Sequence, residues 1–219
     1  MTDLMIIIVI CYLLGSFPTG VIAGKIFRHI DIREHGSGNT GATNAFRVLG
    51  PKGGLPVAVI DFFKGLAATL FIAKLQFFSE PLLPMSWMFV ICTLAVVAGH
   101  IKPLFAGFKG GKGFGPAAGA VTGAVPVIAP FCLVFFMIFL VFSGNVAFSA
   151  LFTALFLPLC YYLLSLWGNL SFDAVIFGFF VFAFLLTFVM VRKRFIQYLR
   201  GESDVFTKIM IFKKTKGKK

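Results

Sequence analysis

The chain has 219 residues, of which 59% are hydrophobic and only 13% are charged. Soluble domains are typically about 45–50% apolar and about 25% charged, so the composition favours an integral membrane protein over a soluble one. The net charge of +12 does not indicate a nucleic-acid partner, because ten of the 20 Lys and Arg residues fall between Arg192 and Lys219. A basic segment beside apolar spans is typical of inside loops that face an anionic leaflet of membrane lipid.

The N-terminal half alternates between apolar spans and short polar loops. The first span runs from Leu4 to about Gly24 and is interrupted by Gly15, Pro18 and Gly20. Asp3 precedes this span and Lys25 follows it, so the positive-inside rule places the N-terminus outside. An inside loop, a second span, a short outside loop and a third span are then predicted at 25–54, 55–78, 79–85 and 86–106.

Residues 113–142 are apolar over about 30 residues, whereas a full helical span needs about 20. Residues 146–166 and 171–191 each predict one further span. A single span in 113–142 would therefore leave the basic tail outside. We predict two short segments that turn near Val125 and Pro126, and a half-membrane helix is an open alternative for one of them.

Together these segments predict an all-α integral membrane protein with seven transmembrane segments, an outside N-terminus and an inside C-terminus. One domain is expected over residues 1–219, with a basic cytoplasmic tail at about 205–219. Lys74 is the one basic residue that this arrangement places in the outer half.

Two glycine-rich basic stretches interrupt the apolar pattern on the predicted inside face. The first is Gly36–Arg47, and the second is Phe108–Gly113, which follows Gly99 and His100. Successive glycines let backbone N–H groups approach an anion closely, and Lys or Arg side chains add positive charge. The two stretches predict a phosphate-binding site at a membrane face.

Neither stretch is a complete nucleotide-binding motif. Gly36, Gly38 and Gly41 have the spacing of a dinucleotide fingerprint but follow a membrane span instead of a strand. Lys112 is followed by Gly113, so the second stretch lacks the hydroxyl with which a P-loop binds Mg²⁺.

Tight turns and helix packing are the structural alternative for these glycines, and packing suits Gly115, Gly119 and Gly123. Packing does not explain why polar and basic residues gather at the same face. Those residues are Asn39, Asn44, Arg47, Lys109 and Lys112.

Three ionisable residues lie within or at the end of predicted spans. His100 is either a hydrogen-bonding structural residue or a substrate contact. Asp61 and Lys64 lie three residues apart on one helix face, where they either pair with each other or help to hold the site. No catalytic triad or metal-binding cluster is visible, and the four cysteines lie singly in apolar runs.

Five segments resemble, in order and spacing, those of the bacterial acyl-phosphate-dependent glycerol-3-phosphate acyltransferases. The resemblance covers about residues 10–125, and the second glycine-rich stretch with its upstream Gly-His is quite specific. The segments are Tyr12–Gly20, Asp31–Asn44, Asp61–Gly65, Gly99–Pro103 and Phe108–Gly113.

The resemblance implies a seven-span enzyme of the bacterial inner membrane with its site facing the cytoplasm. It would move a fatty acyl group from acyl phosphate to the 1-position of glycerol 3-phosphate, giving lysophosphatidic acid and phosphate for phospholipid biosynthesis. No cofactor, metal or acyl-CoA is implied, and a monomer in membrane lipid is expected. The family's motif serine, arginine and phosphate-binding lysine fall on Ser37, Arg47 and Lys112.

An acyl phosphate is already activated, so positioning and electrostatic stabilisation can provide most of the catalysis. We expect Lys112 and the glycine backbone to hold the acyl phosphate, and Arg47 to bind glycerol 3-phosphate through bidentate contacts. Ser37 and Asn39 would orient the acceptor hydroxyl, with a phosphate oxygen as the base. The other substrate-binding candidates are Gly36, Gly38, Gly41, Asn44, His100, Lys109, Gly110, Gly111, Gly113, Arg192 and Arg194.

The C-terminal third departs from the family pattern. The hydroxyls of the family's Val-Ser-Leu-Ala-Ser-like run are displaced in Val146–Ala150. The stretch after the last span also lacks the family's His and Asn. Arg192 or Arg194 could replace their phosphate contacts; the alternatives are weaker binding or a different acceptor.

A transporter or channel for an anion is the competing hypothesis, because glycine-broken helices with basic residues also suit such sites. The clustering of basic residues on one face and the lack of an inverted repeat argue against it. A structural membrane protein, the third hypothesis, leaves both glycine-rich stretches unexplained.

Overall fold

The computed structural model describes residues 1–75, 83–168 and 170–200, and within these ranges all regular structure is helical. The chain divides into two compact units, one ending at Val127 and the other beginning at Ile128. The predicted basic tail at about 205–219 and part of the predicted outside loop at 79–85 lie outside the described residues. The expected single domain over the whole chain stays a prediction.

The first unit begins with the interrupted span that the sequence predicts. Phe17 has φ −60° and ψ 118°, because a residue that precedes proline is driven out of the helical region. Pro18 therefore separates two helices. The helices of this unit are α1 (Thr2–Ser16), α2 (Thr19–Arg28), α3 (Ala42–Leu49), α4 (Pro51–Leu70), α5 (Met85–Ile101) and α6 (Phe114–Ala124).

The predicted inside loop over residues 25–54 is too long, because helices occupy much of it. α2 continues to Arg28, α3 lies within the segment, and α4 already begins at Pro51. Gly50 joins α3 to α4 with φ +75°, a conformation that glycine adopts without strain. Pro51 then favours a helix start, since the first helical position needs no N–H donor.

Glycines let α4 and α6 lie backbone against backbone. A Cβ added to Gly65 would overlap the carbonyl oxygen of Pro116, and one added to Gly119 would overlap that of Phe62. Gly123 packs against the same helix. The packing interpretation of Gly119 and Gly123 is confirmed, and it fits the use of small residues wherever membrane helices approach closely.

A second close approach joins α1 to α5. A Cβ on Gly15 would overlap the Val96 carbonyl oxygen, and a Cβ on Gly99 would overlap the Tyr12 carbonyl oxygen. Each of the two helices thus contributes one glycine to their contact. This packing places the end of α5, with His100, beside the break between α1 and α2.

The second unit contains three helices in the part of the chain that the structure describes: α7 (Ala129–Ser143), α8 (Val146–Leu166) and α9 (Ala174–Leu199). α8 matches its predicted span, whereas α9 runs beyond the predicted end at 191. Asn145 caps α8 by accepting hydrogen bonds from the N–H groups of Ala147 and Phe148, at 3.0 and 3.3 Å. Phe135 and Phe156 stack between α7 and α8 with ring centroids 4.4 Å apart.

Six segments of the described chain are long and apolar enough to cross a membrane. α6 is not among them, because its 11 residues extend only about 16 Å against a hydrocarbon core of about 30 Å. The expected short segment within 113–142 is therefore present. A 3₁₀ turn at Pro126–Ile128 follows the end of α6, close to the predicted turn.

Replacing Gly65 with Val should destabilise the first unit, because the added side chain would overlap the α6 backbone rather than a movable side chain. We expect a loss of about 1–3 kcal/mol or more, as for overpacked cores, measured as a lower thermal midpoint in detergent. Gly178→Ala on α9 is the control, since a Cβ there meets no described atom within 4 Å apart from the backbone of its own helix. A Gly65→Val protein as stable as the Gly178→Ala protein would contradict this packing.

Candidate functional site

A buried polar cluster joins three helices of the first unit. Its members are Thr19 on α2, Asp61 and Lys64 on α4, and His100 on α5; Asp61 is 3% exposed and Lys64 is 4% exposed. Lys64 Nζ lies 2.8 Å from Asp61 Oδ1 and also donates to the Thr19 hydroxyl. The Thr19 hydroxyl donates to the same carboxylate oxygen at 3.0 Å.

The cluster also fastens the break between α1 and α2. Lys64 Nζ donates a hydrogen bond of 2.7 Å to the carbonyl oxygen of Phe17, the residue that follows the end of α1. The same carbonyl oxygen accepts the Thr19 N–H at 3.0 Å, so Lys64 and the start of α2 both bond to the residue between the two helices. The predicted pairing of Asp61 with Lys64 is thus confirmed.

His100 is 7% exposed and lies between this cluster and the second glycine-rich stretch. Its Nδ1 lies 3.7 Å from Asp61 Oδ1. A Cβ on Gly111 would overlap the other ring nitrogen, Nε2. The Gly111 N–H donates to the His100 carbonyl oxygen at 3.0 Å. These contacts favour the structural alternative for His100 over a direct substrate contact.

The buried side chain of Asn44 holds the backbone of the first glycine-rich stretch by hydrogen bonds. Its side chain is 1% exposed, and its Nδ2 donates to the carbonyl oxygens of His35 and Asn39 at 3.0 and 2.9 Å. Its Oδ1 accepts from the Ser37 N–H at 2.9 Å. Gly36 has φ +63°, and a Cβ there would overlap Asn44 Oδ1. Asn44 therefore shapes the loop that presents Ser37.

Asn39 makes a second local contact in the same stretch. Its Oδ1 accepts from the Gly41 N–H at 2.8 Å, which closes an Asx turn just before α3 begins. α3 then carries Arg47, whose side chain is exposed. The backbone of this stretch is fixed by its own asparagines, while Ser37 and Arg47 face outward.

Arg33 joins the first stretch to the chain just before the second. Its Nη1 donates to the carbonyl oxygen of Ala106 at 2.8 Å. Asp31 orients the guanidinium by accepting from Nε and Nη2 at 2.9 and 2.6 Å. The hydrogen bonds from Arg33 lower the pKa of Asp31 to about 2. Neither residue was among the sequence-predicted site residues, although both lie in a segment that carries the resemblance.

A small pocket opens on the polar cluster from the side of the α1–α2 break. Thr40 of the first stretch forms part of the pocket wall. α2 lies close to that stretch, because a Cβ on Gly20 would overlap the Thr40 carbonyl oxygen. The pocket is lined by Gly15, Phe17, Pro18, Thr19, Gly20, Thr40, Asp61, His100 and Pro103.

Ten of the predicted site residues fall into three groups, and Gly36, Gly38, Asn39, Gly41 and Gly110 belong to the exposed or half-buried backbone of the two stretches. Ser37, Arg47 and Lys109 are exposed, and Lys112 is half-buried immediately before α6. Asn44, His100, Gly111 and Gly113 are buried and hold the backbone of the two stretches. Arg192 lies exposed on α9 in the second unit, and Arg194 lies on the same helix. The roles of all these residues stay predictions.

Sequence reasoning did not select Thr19, which the structure places at the centre of the cluster. A threonine directly after a proline signals a helix start, but not a partner 42 residues away. Among the described residues, no group of three or more His, Cys, Asp or Glu side chains is placed to hold a metal ion.

The sequence profile of the glycerol-3-phosphate acyltransferases matches residues 5–201. The chain belongs to the glycerol-3-phosphate acyltransferase family. Enzymes of that name from Streptococcus pneumoniae strains Taiwan19F-14 and Hungary19A-6 are each 48% identical to it over 115 residues, or 52% of this chain and 51% of theirs. The aligned part of the chain spans about half the length of these curated relatives.

Two crystal structures of PlsY (YgiH), an integral membrane glycerol 3-phosphate acyltransferase, share the fold. The glycerol 3-phosphate form has a TM-score of 0.77 and 27% identity, covering 93% of this chain and 95% of that one. The lysophosphatidic acid form has a TM-score of 0.75 and 26% identity, covering 92% and 94%. By fold this family member is a multi-pass integral membrane protein.

Replacing Asp61 with Asn should destabilise this acyltransferase-family protein, because Lys64 would keep a buried charge without a counterion. We expect a loss of about 3–5 kcal/mol, seen as a lower thermal unfolding midpoint in detergent. The double variant Asp61→Asn/Lys64→Met should recover much of the loss, since both charges are then gone. Lys74→Met, at an exposed lysine, is the control. A double variant no more stable than the single one would show that charge is not the cause.

The Asp31–Arg33 pair should give the protein a pH-dependent component of stability. Because the folded-state pKa of Asp31 is about 2, below an unfolded value of about 3.9, the pair stabilises the fold above about pH 4 and loses this effect as pH falls toward 2. Asp31→Asn should lower the thermal midpoint at pH 7 and flatten its change between pH 5 and 3. Glu34→Gln, at an exposed carboxylate nearby, should keep the wild-type profile, and an Asp31→Asn profile parallel to wild type would refute the assignment.

Proposed function

We propose that this protein transfers a fatty acyl group from acyl phosphate to the 1-position of glycerol 3-phosphate, giving lysophosphatidic acid and phosphate. The observation that carries the proposal is the link between the segments that lead into the two glycine-rich stretches. Arg33, just before the first stretch, donates to the carbonyl oxygen of Ala106, just before the second. His100 packs against Gly111 within the second stretch. Two basic loops held within one unit suit a reaction in which both substrates carry phosphate.

In the proposed reaction, the acceptor hydroxyl oxygen attacks the acyl carbonyl carbon. The bond between that carbon and the phosphate oxygen breaks, and inorganic phosphate leaves with the hydroxyl proton on one of its oxygens. Because the leaving phosphate can accept the proton, the protein needs no separate base. Its contribution is positioning and charge stabilisation at the two phosphates.

The geometry suggests how the second stretch would hold a phosphate. Gly111 already donates its N–H to His100, so that donor is not available for an anion. Lys112 lies directly before the N-terminus of α6, where the helix dipole adds partial positive charge. We therefore assign the main phosphate contact to Lys112, with Lys109 on the exposed side of the same loop.

We assign the acceptor to the first stretch. Arg47 on α3 would bind glycerol 3-phosphate through its guanidinium, which matches phosphate bidentately. The Ser37 side chain is exposed on a loop fixed by Asn44. A hydroxyl in that place can orient the attacking hydroxyl by hydrogen bonding.

For topology we propose seven segments, with the N-terminus outside and the site at the cytoplasmic face of a bacterial inner membrane. Six segments of the described chain have spanning length, and α6 would lie in the seventh, where non-helical backbone beside the short helix completes the crossing. Short helices at membrane depth are tolerated where protein covers their ends. An odd number of crossings keeps the basic C-terminal region on the inside, in agreement with the positive-inside rule.

The test is acyl transfer by the purified full chain in lipid vesicles, with radiolabelled glycerol 3-phosphate. Palmitoyl phosphate and palmitoyl-CoA are offered separately. We expect lysophosphatidic acid from palmitoyl phosphate only. Product from both donors would refute the donor assignment, and phosphate uptake into sealed vesicles without acylated product would favour a transporter.

Lys112→Ala and Ser37→Ala test the site in the same assay. Each should lower kcat/KM on the order of 100-fold, the loss that follows removal of one preorganised charge-stabilising donor. The matched controls are Lys52→Ala, an exposed lysine at the start of α4, and Ser165→Ala, whose hydroxyl donates to the carbonyl oxygen of Tyr162 in its own helix. Losses of equal size in the controls would show that the effect is not specific to the site.

A further inference from the structure

His100 lies between the buried polar cluster and the second glycine-rich stretch of the first unit. On one side its Nδ1 faces Asp61 of the buried polar cluster, and on the other its Nε2 faces the backbone of Gly111. Its own carbonyl oxygen accepts the Gly111 N–H at 3.0 Å. Both the ring and the backbone carbonyl of His100 thus contact the second glycine-rich stretch.

The glycines of that stretch fit His100 closely. A Cβ on Gly110 would overlap the His100 carbonyl oxygen, and a Cβ on Gly111 would overlap the imidazole ring. Neither glycine has a positive φ, so left-handed backbone is not what requires glycine at 110 and 111. The requirement is the space that His100 occupies, and the lysines at 109 and 112 flank this contact directly.

The imidazole of His100 lies against a restrained carboxylate. Asp61 Oδ1, which is 3.7 Å from Nδ1, is itself held by Lys64 and by the Thr19 hydroxyl, at 2.8 and 3.0 Å. A carboxylate with two such partners has little freedom to move. The ring that rests against it therefore gives the loop a rigid surface.

We propose that His100, oriented by Asp61, is a positioning residue that sets the phosphate-binding conformation of the second glycine-rich stretch without touching the substrate. The inference rests on the proposed function, because it assumes that this stretch binds the phosphate of one of the two substrates. It assigns His100 to the protein's internal support rather than to proton transfer, since both ring nitrogens face protein atoms.

The test is a double-mutant cycle of His100→Ala and Gly111→Ala in the full-length protein, with each substrate varied in turn. Gly111→Ala alone pushes the loop away from the imidazole, and His100→Ala alone removes the support. Each single variant should raise the KM for one phosphate-bearing substrate on the order of tenfold, with the other KM within about twofold. The substrate that responds, palmitoyl phosphate or glycerol 3-phosphate, is the one whose phosphate the stretch holds.

The double variant carries the decisive result. If the two residues act through their contact, the alanine side chain at 111 no longer overlaps the imidazole once His100 is replaced. The KM of the double variant should then rise only about tenfold, whereas independent effects would raise it about hundredfold. A hundredfold rise, or equal rises in both KM values, overturns the proposal. So does an unchanged KM in folded single variants.

Two further variants separate positioning from loss of fold. His100→Gln keeps a polar side chain of similar reach between Asp61 and Gly111, and should therefore restore part of the KM that His100→Ala loses. Thr93→Val is the matched control, because Thr93 is buried on the same helix and its hydroxyl donates to the carbonyl oxygen of Phe89 in that helix. Its KM values should equal those of the wild type.

Equilibrium binding of radiolabelled palmitoyl phosphate and of glycerol 3-phosphate to each variant makes the result independent of turnover. If the wild type binds one of them but forms no product, the proposed reaction fails, while weaker binding in His100→Ala still supports the positioning role. If the wild type binds neither, both proposals fall. Thermal midpoints in detergent identify any variant that has lost its fold, and His100→Gln then replaces His100→Ala in the cycle.

Discussion

The first unit depends on one buried ion pair, between Asp61 and Lys64. Charges are costly at membrane depth, and in this pair Lys64 Nζ donates to Asp61, to the Thr19 hydroxyl and to the Phe17 carbonyl oxygen. Asp61 Oδ1 in turn accepts from the Thr19 hydroxyl and lies 3.7 Å from His100 Nδ1. The pair therefore bonds α4 to the α1–α2 break and lies against His100 near the end of α5.

The glycines of the chain serve this arrangement in two different ways. Along α4 and α6, and between α1 and α5, they remove side chains so that backbones can touch. In the two loops they leave room for one polar side chain each: Asn44 beneath the first stretch and His100 beneath the second. Each loop is thus shaped by a buried side chain, which leaves its exposed residues to meet a substrate.

Arg33 adds a connection between the segments that lead into the two loops. It reaches from just before the first stretch to Ala106, just before the second, while Asp31 holds its guanidinium. For two substrates that both carry phosphate, the distance between the two phosphate sites decides whether the acyl carbon and the hydroxyl oxygen can meet. A fixed link between the loops is the physical requirement for such a reaction.

The sequence by itself determined the membrane class, the break at Pro18, the spans up to the short segment near residue 125, and the two stretches that bear the candidate site. These follow from hydropathy, from proline and glycine chemistry, and from motifs that are local in the chain. It placed the start of α4 too late, because Lys52 and two glycines dilute the apolar signal there.

Only the tertiary structure decided that Asn44 and His100 support the loops from within, and that Thr19 and Arg33 belong to the site. Those roles come from contacts between residues up to 73 positions apart, and no local pattern encodes which helix face meets which loop.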